Sequence, residues 1–160
     1  MASALPASIP EVTPIYNITV EIDTTPSGQN RTWKSLCAGF NNIQEALNEV
    51  VNQYFFLCGS GFACNYVTGM APAYTLTGVR VLNDDAQTYI FGNSFKFGTM
   101  GTRETHMRLT RTEGASSTII SANVTLCNIT DIGGGTTDGS ACSVEIRING
   151  APVSGDDWAA

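Results

Sequence analysis

Residues 120–126 read Ile-Ser-Ala-Asn-Val-Thr-Leu, and residues 142–148 read Cys-Ser-Val-Glu-Ile-Arg-Ile. Apolar side chains recur at every second position, which places them on one face of an extended chain and leaves the polar residues on the other. The same period runs through Tyr16, Ile18, Val20 and Ile22, and through Thr105, Met107 and Leu109. Tyr74, Leu76 and residues 79–82 predict another strand, punctuated by Gly78. Residues 32–40 and 50–58 are weaker strand candidates. Within the latter, Val51, Tyr54, Phe55 and Phe56 read equally as a buried strand or as an exposed apolar patch for a partner.

One segment reads clearly as a helix. Asp84-Asp85-Ala86-Gln87-Thr88-Tyr89-Ile90-Phe91 opens on acidic residues that accept from the free N–H groups of a first turn, and it stops at Gly92-Asn93. Asp84 and Asp85 are the expected cap. Ala86, Tyr89, Ile90 and Asn93 fall on one side, and little more than two turns must be held by packing on a sheet. Residues 43–50 are a weaker helix candidate, with Ile43, Ala46, Leu47 and Val50 at helical spacing. Asn149-Gly150 predicts a tight turn. Many strands and one short helix predict an all-β fold, a two-sheet β-sandwich or barrel flanked by an α-helix. The expected organisation is an N-terminal extended arm at 1–14, one domain at 15–153 and a C-terminal tail at 154–160.

The chain has 160 residues, a formal net charge of −6, and 42% hydrophobic but only 14% charged residues. That length suits one domain that buries about 70% of its unfolded surface. Charged residues usually make up about 25%, so uncharged Ser, Thr and Asn take the place of Lys and Glu; such a surface is easier to desolvate in a permanent assembly. The acidic balance argues against DNA or an anionic membrane as an attracted partner. No run of apolar residues is long enough to be a transmembrane helix, and the N-terminus lacks the basic and apolar regions of a secretory signal. Folding in a cytosol is therefore expected, with Cys37, Cys58, Cys64, Cys127 and Cys142 as free thiols in the core. With one histidine and no CxxC pair, neither a metal nor a cofactor is expected.

Asp131-Ile132-Gly133-Gly134-Gly135-Thr136-Thr137-Asp138 resembles, as a string, a phosphate-binding loop of actin-like and Hsp70-like ATPases. That fold needs two large domains closing on a nucleotide, so the reading here is a glycine-rich hairpin loop between the strands at 118–130 and 140–148. His106 sits at a polar strand position with no nucleophile signature beside it. Arg103, Arg108 and Arg111 cluster in sequence and are read as an ion-pairing interface with an acidic neighbour. No catalytic residue is assigned.

The order of features then carries a resemblance. It runs Trp33, Asn48-Glu49, Tyr66-Val67-Thr68-Gly69, Thr77-Gly78-Val79-Arg80, the segment 84–91, Arg103, and Glu145-Ile146-Arg147-Ile148-Asn149-Gly150-Ala151-Pro152. Over roughly residues 16–153 this resembles the major tail (tail tube) proteins of long-tailed siphophages. The resemblance implies a β-sandwich flanked by a helix, and hexameric rings stacked head-to-tail into a hollow virion tail tube, assembled in the bacterial cytoplasm. One sheet per subunit would line a lumen through which genomic DNA passes unbound, and tape-measure, tail tip and tail terminator proteins would be partners. It places inter-ring or inter-subunit contacts in the arm (Ile9, Pro10, Val12 and Pro14) and in the segment 41–60 (Ile43, Glu45, Leu47, Asn48, Glu49, Tyr54, Phe55 and Phe56). Glu45 and Glu49 are then candidate lumen or ring-contact acids. Two other classes remain open: an adhesive or carbohydrate-binding β-sandwich using Trp33, Trp158 or the aromatic run at 54–56, and an enzyme using the loop 131–138.

Overall fold

A computed structural model describes residues 11–155. The alternating segments form strands β1 (Ile18–Asp23), β2 (Trp33–Ser35), β3 (Phe40–Ala46), β4 (Val50–Phe55), β5 (Ala63–Gly69), β6 (Ala73–Val79), β7 (Glu104–Glu113), β8 (Ser116–Thr130) and β9 (Ala141–Ser154). Seven of them make one antiparallel sheet in the order β2-β1-β7-β8-β9-β6-β3, while β4 and β5 pair only with each other. The large sheet curls so that residues from its opposite ends, such as Ile18 and Leu36 near one and Phe40 and Ile43 at the other, line the same cleft. Its concave face carries the alternating apolar side chains: Val20 and Ile22, Met107 and Leu109, Ala122, Val124 and Leu126, Val144 and Ile146 are all buried. Ile129 and Cys142 join the same core.

Helix α1 (Asp85–Phe91) covers the core, with the Asp84 side chain accepting from the Gln87 N–H at 2.8 Å. Its buried face is Ala86, Gln87, Ile90 and Phe91, so two residues beyond the expected set point inward. Tyr89 is partly buried and stacks on Phe95 with ring centroids 4.8 Å apart. Phe95 belongs to a second short helix, α2 (Asn93–Lys96), which adds a helical turn to the one expected. Asp85 lies outside the packing and pairs with Lys34 of β2 at 2.7 Å.

Gln87 carries no charge, is fully buried and satisfies its whole amide. Its Nε2 donates to the Ala38 and Val79 carbonyls at 2.9 and 3.1 Å, and its Oε1 accepts from the Val81 N–H at 2.8 Å and from the Arg80 guanidinium at 3.0 Å. Arg80 also lies over the Phe91 ring, 5.3 Å from its centroid. The strand expected through residue 82 therefore ends at Val79, where the chain turns to meet the helix. Immediately before it, the Val79 N–H donates to Gly39 at 2.8 Å, and Gly78 lies so close that a Cβ there would overlap the Gly39 carbonyl and the Phe40 backbone. Thr77-Gly78-Val79-Arg80 and Asp84-Asp85-Ala86-Gln87 are thus two halves of one junction.

Three expectations fail. Residues 43–50 are not helical: residues 42–46 pair one-to-one with β6, and a neighbouring strand outcompetes an uncapped pattern of two turns. Asn149-Gly150 is not a turn. β9 continues past it, and the β8–β9 register shifts between Ser121 and Asn123, with Gly150 at φ 78° and Pro152 in a stretch outside the paired register. The cysteines are free, but only Cys142 is buried, where desolvation pushes its thiol up; Cys127 is half-buried, and Cys37, Cys58 and Cys64 are exposed.

The loop after β1 is held by Asp23, a fully buried carboxylate. It accepts from the Thr25 and Thr32 N–H groups, both at 2.9 Å, from the Thr25 hydroxyl at 3.2 Å, and lies 3.2 Å from His106 Nδ1. Burial alone would raise the Asp23 pKa, but these bonds together hold it below the ordinary carboxylate value. Asp23 therefore stabilises the fold fully above about pH 4, and that contribution is lost as pH falls through its lowered native pKa. Asp23→Ala removes the acceptor of the Thr25 and Thr32 N–H groups and is expected to lower unfolding stability by about 2 kcal/mol at pH 7 in urea titrations, with a smaller difference from wild type in strong acid. Gly78→Ala is expected to lower it by about 3 kcal/mol through overlap with the Gly39–Phe40 backbone. Gly101→Ala, at a position with open space, is the control expected to change little.

Candidate assembly surface

The β4–β5 ribbon leaves the body of the molecule at a pinned base. The Ala71 N–H donates to the Leu47 carbonyl at 3.0 Å, and Asn48, in the left-handed region at φ 49°, donates from Nδ2 to the Ala71 carbonyl at 2.9 Å. Glu49 follows, exposed, and the two strands then run out as a hairpin whose turn contains Leu57–Gly59. Residues that pair directly share a face. Tyr54 opposite Cys64 and Asn52 opposite Tyr66 lie on one face, and Val51 opposite Val67 and Phe55 opposite Ala63 on the other. Tyr54 stacks on Phe56 at 6.4 Å and meets Tyr66 edge-on at 5.8 Å.

Both faces carry apolar side chains, with Gln53 opposite Asn65 among them on one face and Asn52 on the other, and both are open to solvent. Phe55 is 67% exposed, Phe62 78%, and Leu57 fully. Of the two readings of the aromatic run, the exposed one is correct for the isolated chain. Residues 50–79 contain no Asp, Glu, Lys, Arg or His. The ribbon has two unpaired edges among the described strands and none of the charges that normally guard such edges. An isolated two-stranded hairpin is marginal in water.

The other candidate contacts scatter. Ile43 is partly buried against the core, and Glu45 is exposed opposite Tyr74 on β6. Val12 is exposed and Pro14 half-buried, while Ile9, Pro10 and Trp158 lie outside the described residues. The three arginines do not form one patch. Arg108 pairs with Glu21 of its own chain at 2.7 Å and lies 4.8 Å over the Trp33 ring, so its acidic neighbour is internal. Arg103 donates to the Lys96 carbonyl. Arg111 pairs in register with Ile18, on the opposite face of β7 from Arg108.

The convex face of the large sheet is polar and carries ion pairs. Thr75, Thr77, Asn123, Thr125 and Ser143 alternate there, and Glu145 meets Arg147 at 2.8 Å. The Arg147 guanidinium beside Glu145 holds that carboxyl below its ordinary range. The loop 131–138 is a hairpin loop between β8 and β9 whose polar groups are used internally. Asp131 pairs with Lys96, and Asp138 accepts from the Gly135 N–H at 2.9 Å. A phosphate cradle would need those carboxylates and N–H groups turned outward. Among the described residues no cluster of His, Cys, Asp and Glu has the arrangement of a metal site, and no helix is long and apolar enough to cross a membrane.

No family model and no curated protein matches the chain. Solved structures do. The tail of an empty gene transfer agent particle, refined helically with C6 symmetry, superposes with a TM-score of 0.64 at 15% identity, covering 89% of this chain and 98% of that one. The virion of the native gene transfer agent particle gives 0.64 at 11% identity over 90% and 99%. The SPP1 tail tube gives 0.60 at 9% identity over 86% and 75%. This chain therefore has the fold found in those tail structures.

Because the ribbon leaves the body at the Leu47–Ala71 bond, it is separable from it. Replacing residues 50–69 by a short Gly-Asn-Gly turn is expected to leave a folded body whose unfolding free energy differs by less than about 1 kcal/mol, since loop length contributes weakly. Thermal denaturation and near-ultraviolet circular dichroism check this.

Proposed function

We propose that the chain is a non-enzymatic structural subunit of a virion tail, which self-assembles into stacked, hexameric rings enclosing a channel for genomic DNA. One observation carries the reading: a body with the fold of tail tube structures bears an uncharged ribbon that exposes large apolar side chains on both faces, with both edges open among the described strands. A monomer gains nothing from such a ribbon, whereas a neighbouring subunit buries it. Burial stabilises by about 25 cal/mol per Å² of apolar surface.

The net charge of −6 fits a conduit. An acidic subunit does not attract the phosphate backbone, so DNA slides past without being held. Glu45 and Glu49, both exposed, are the proposed lumen or ring-contact acids. The extended arm at 1–14 and the tail at 154–160 are proposed to reach neighbouring subunits around the domain at 15–153. Assembly in the host bacterial cytoplasm, with tape-measure, tail tip and tail terminator proteins as partners, completes the proposal.

Electron microscopy of the purified chain at high concentration tests it. Rings or tubes with a central channel are expected; a chain that stays monomeric by light scattering at every concentration, with no rings in micrographs, overturns the reading. A Phe55→Asp, Val67→Asp double variant places two carboxylates on one ribbon face. It is expected to keep the wild-type melting temperature and to raise the concentration needed for assembly at least tenfold, the equivalent of about 1.4 kcal/mol. Sedimentation velocity reads the difference.

A further inference from the structure

Asn149-Gly150 is the one Asn-Gly pair of the chain. It stands where β9 leaves its ladder. Asn149 pairs with Asn123 of β8 and the next pair is Val153 with Ser121, so Gly150, Ala151 and Pro152 stand opposite Ala122 alone. Asn149 and these three residues are exposed. Gly150 lies at φ 78° with open space where a side chain would project. The Asn149 side chain is on the convex face, and its Nδ2 donates to the Thr125 hydroxyl at 2.8 Å. Both residues line an open, polar cleft of ≈ 610 Å³ together with Asn123, His106 and Glu104, so solvent reaches the site.

We propose, independently of the tube reading, that Asn149 is a site of spontaneous deamidation in the folded chain, with water as the only co-reactant. The Gly150 nitrogen loses its proton to solvent base and bonds to Asn149 Cγ. The Cγ–Nδ2 bond breaks, and the nitrogen leaves as ammonia, taking a proton back from solvent. One water then opens the five-membered imide at either carbonyl. The product is an aspartate in the ordinary backbone or an isoaspartate whose backbone runs through the side chain. Overall one water enters and one ammonia leaves, with nothing oxidised or reduced. The attack needs an uncrowded nitrogen, and glycine supplies one, whereas Asn48, Asn52 and Asn128 are followed by Glu49, Gln53 and Ile129. It also needs the backbone to rotate at residue 149. A regular ladder resists that rotation, but here the three following residues have no partner in the register. The side chain must leave the Thr125 hydroxyl, an exposed neutral bond that water replaces at little cost, while Asn128 is tied to the Glu145 carboxylate. The bulge accommodates the product as well, because the extra backbone atom of isoaspartate enters a stretch where no pairing is displaced. Each conversion adds one negative charge to the convex face, two residues along β9 from Arg147 on the same face.

The full chain, held folded in mildly alkaline buffer and followed by circular dichroism, tests the site beside a synthetic peptide of residues 144–154. Intact masses and peptide maps are read over time by mass spectrometry. A gain of about one dalton is expected, mapped first to Asn149 as a mixture of aspartate and isoaspartate. Its rate in the folded chain is expected to lie within about a hundredfold of the peptide's, because the bulge opens without the fold. Asn149→Gln must close a six-membered ring and is expected to lose this first gain while keeping the wild-type circular dichroism. A rate more than about a hundredfold below the peptide's overturns the proposal, since conversion then waits for an unfolded population that is small in any stable domain. A first gain mapped to another asparagine, with Asn149 unchanged, overturns it as well.

Discussion

The amide of Gln87 is bonded to four groups at once, and those groups come from two separate parts of the chain, Ala38 and the run 79–81. Two are carbonyls, of Ala38 ahead of β3 and of Val79 at the end of β6; the others belong to Arg80 and Val81, where the chain leaves the sheet for the helix. A buried side-chain amide left with any of these unmade is destabilising by about 1–3 kcal/mol per group, so the arrangement tolerates little displacement. It fixes where α1 lies on the core, and it fixes where β3 starts relative to β6. The close approach of Gly39 and Gly78 is the backbone counterpart of the same constraint. Because β3 leads directly into the ribbon, the direction in which the ribbon leaves the body is set by this junction, some distance from the ribbon itself.

The body and the ribbon therefore obey different rules. In the body, apolar residues face inward, buried polar groups such as Asp23 and Gln87 are bonded, and the convex face pairs Arg108 with Glu21 and Arg147 with Glu145. In the ribbon, both faces expose uncharged side chains, many of them apolar, and both edges are open among the described strands. A chain under pressure to remain monomeric would place Lys, Glu or Pro on those edges. Their absence across residues 50–69 marks a surface held ready for another protein surface. The solubility risk is reduced by confining the feature to one protruding element on an otherwise polar, net negative molecule.

The strands of the body were legible in the sequence because each has one buried and one solvated face, as Ala122, Val124 and Leu126 alternate with Ser121, Asn123 and Thr125. The helix was legible because Asp84 is a local signal, acting within three residues. What was illegible depends on partners distant in sequence. Residues 43–50 carry helical spacing, but β6, some thirty residues on, decides their conformation. Asn149-Gly150 has turn chemistry, yet in a long strand the same positive φ serves a bulge. Gln87 looked like a polar residue on a helix, and nothing local announces that Ala38 and Val79 await it. The aromatic run at 54–56 was ambiguous for a deeper reason: it is exposed in the chain alone and has the composition of a buried strand.

That ambiguity bears on the unusual charge content. Only 14% of the residues are charged, against about 25% in a typical soluble domain. The deficit is not spread evenly: residues 50–79 hold no charge at all, and they include every residue of the ribbon together with β6. For β6, burial in the middle of a sheet explains the composition, since Tyr74 and Leu76 are core residues. For residues 50–69 no burial among the described residues explains it. Side chains of interior composition, on an element that has no interior of its own, fit the proposed interior between molecules. On the proposed reading, the low charge of the chain is a property of its assembled state, written into the sequence of the monomer.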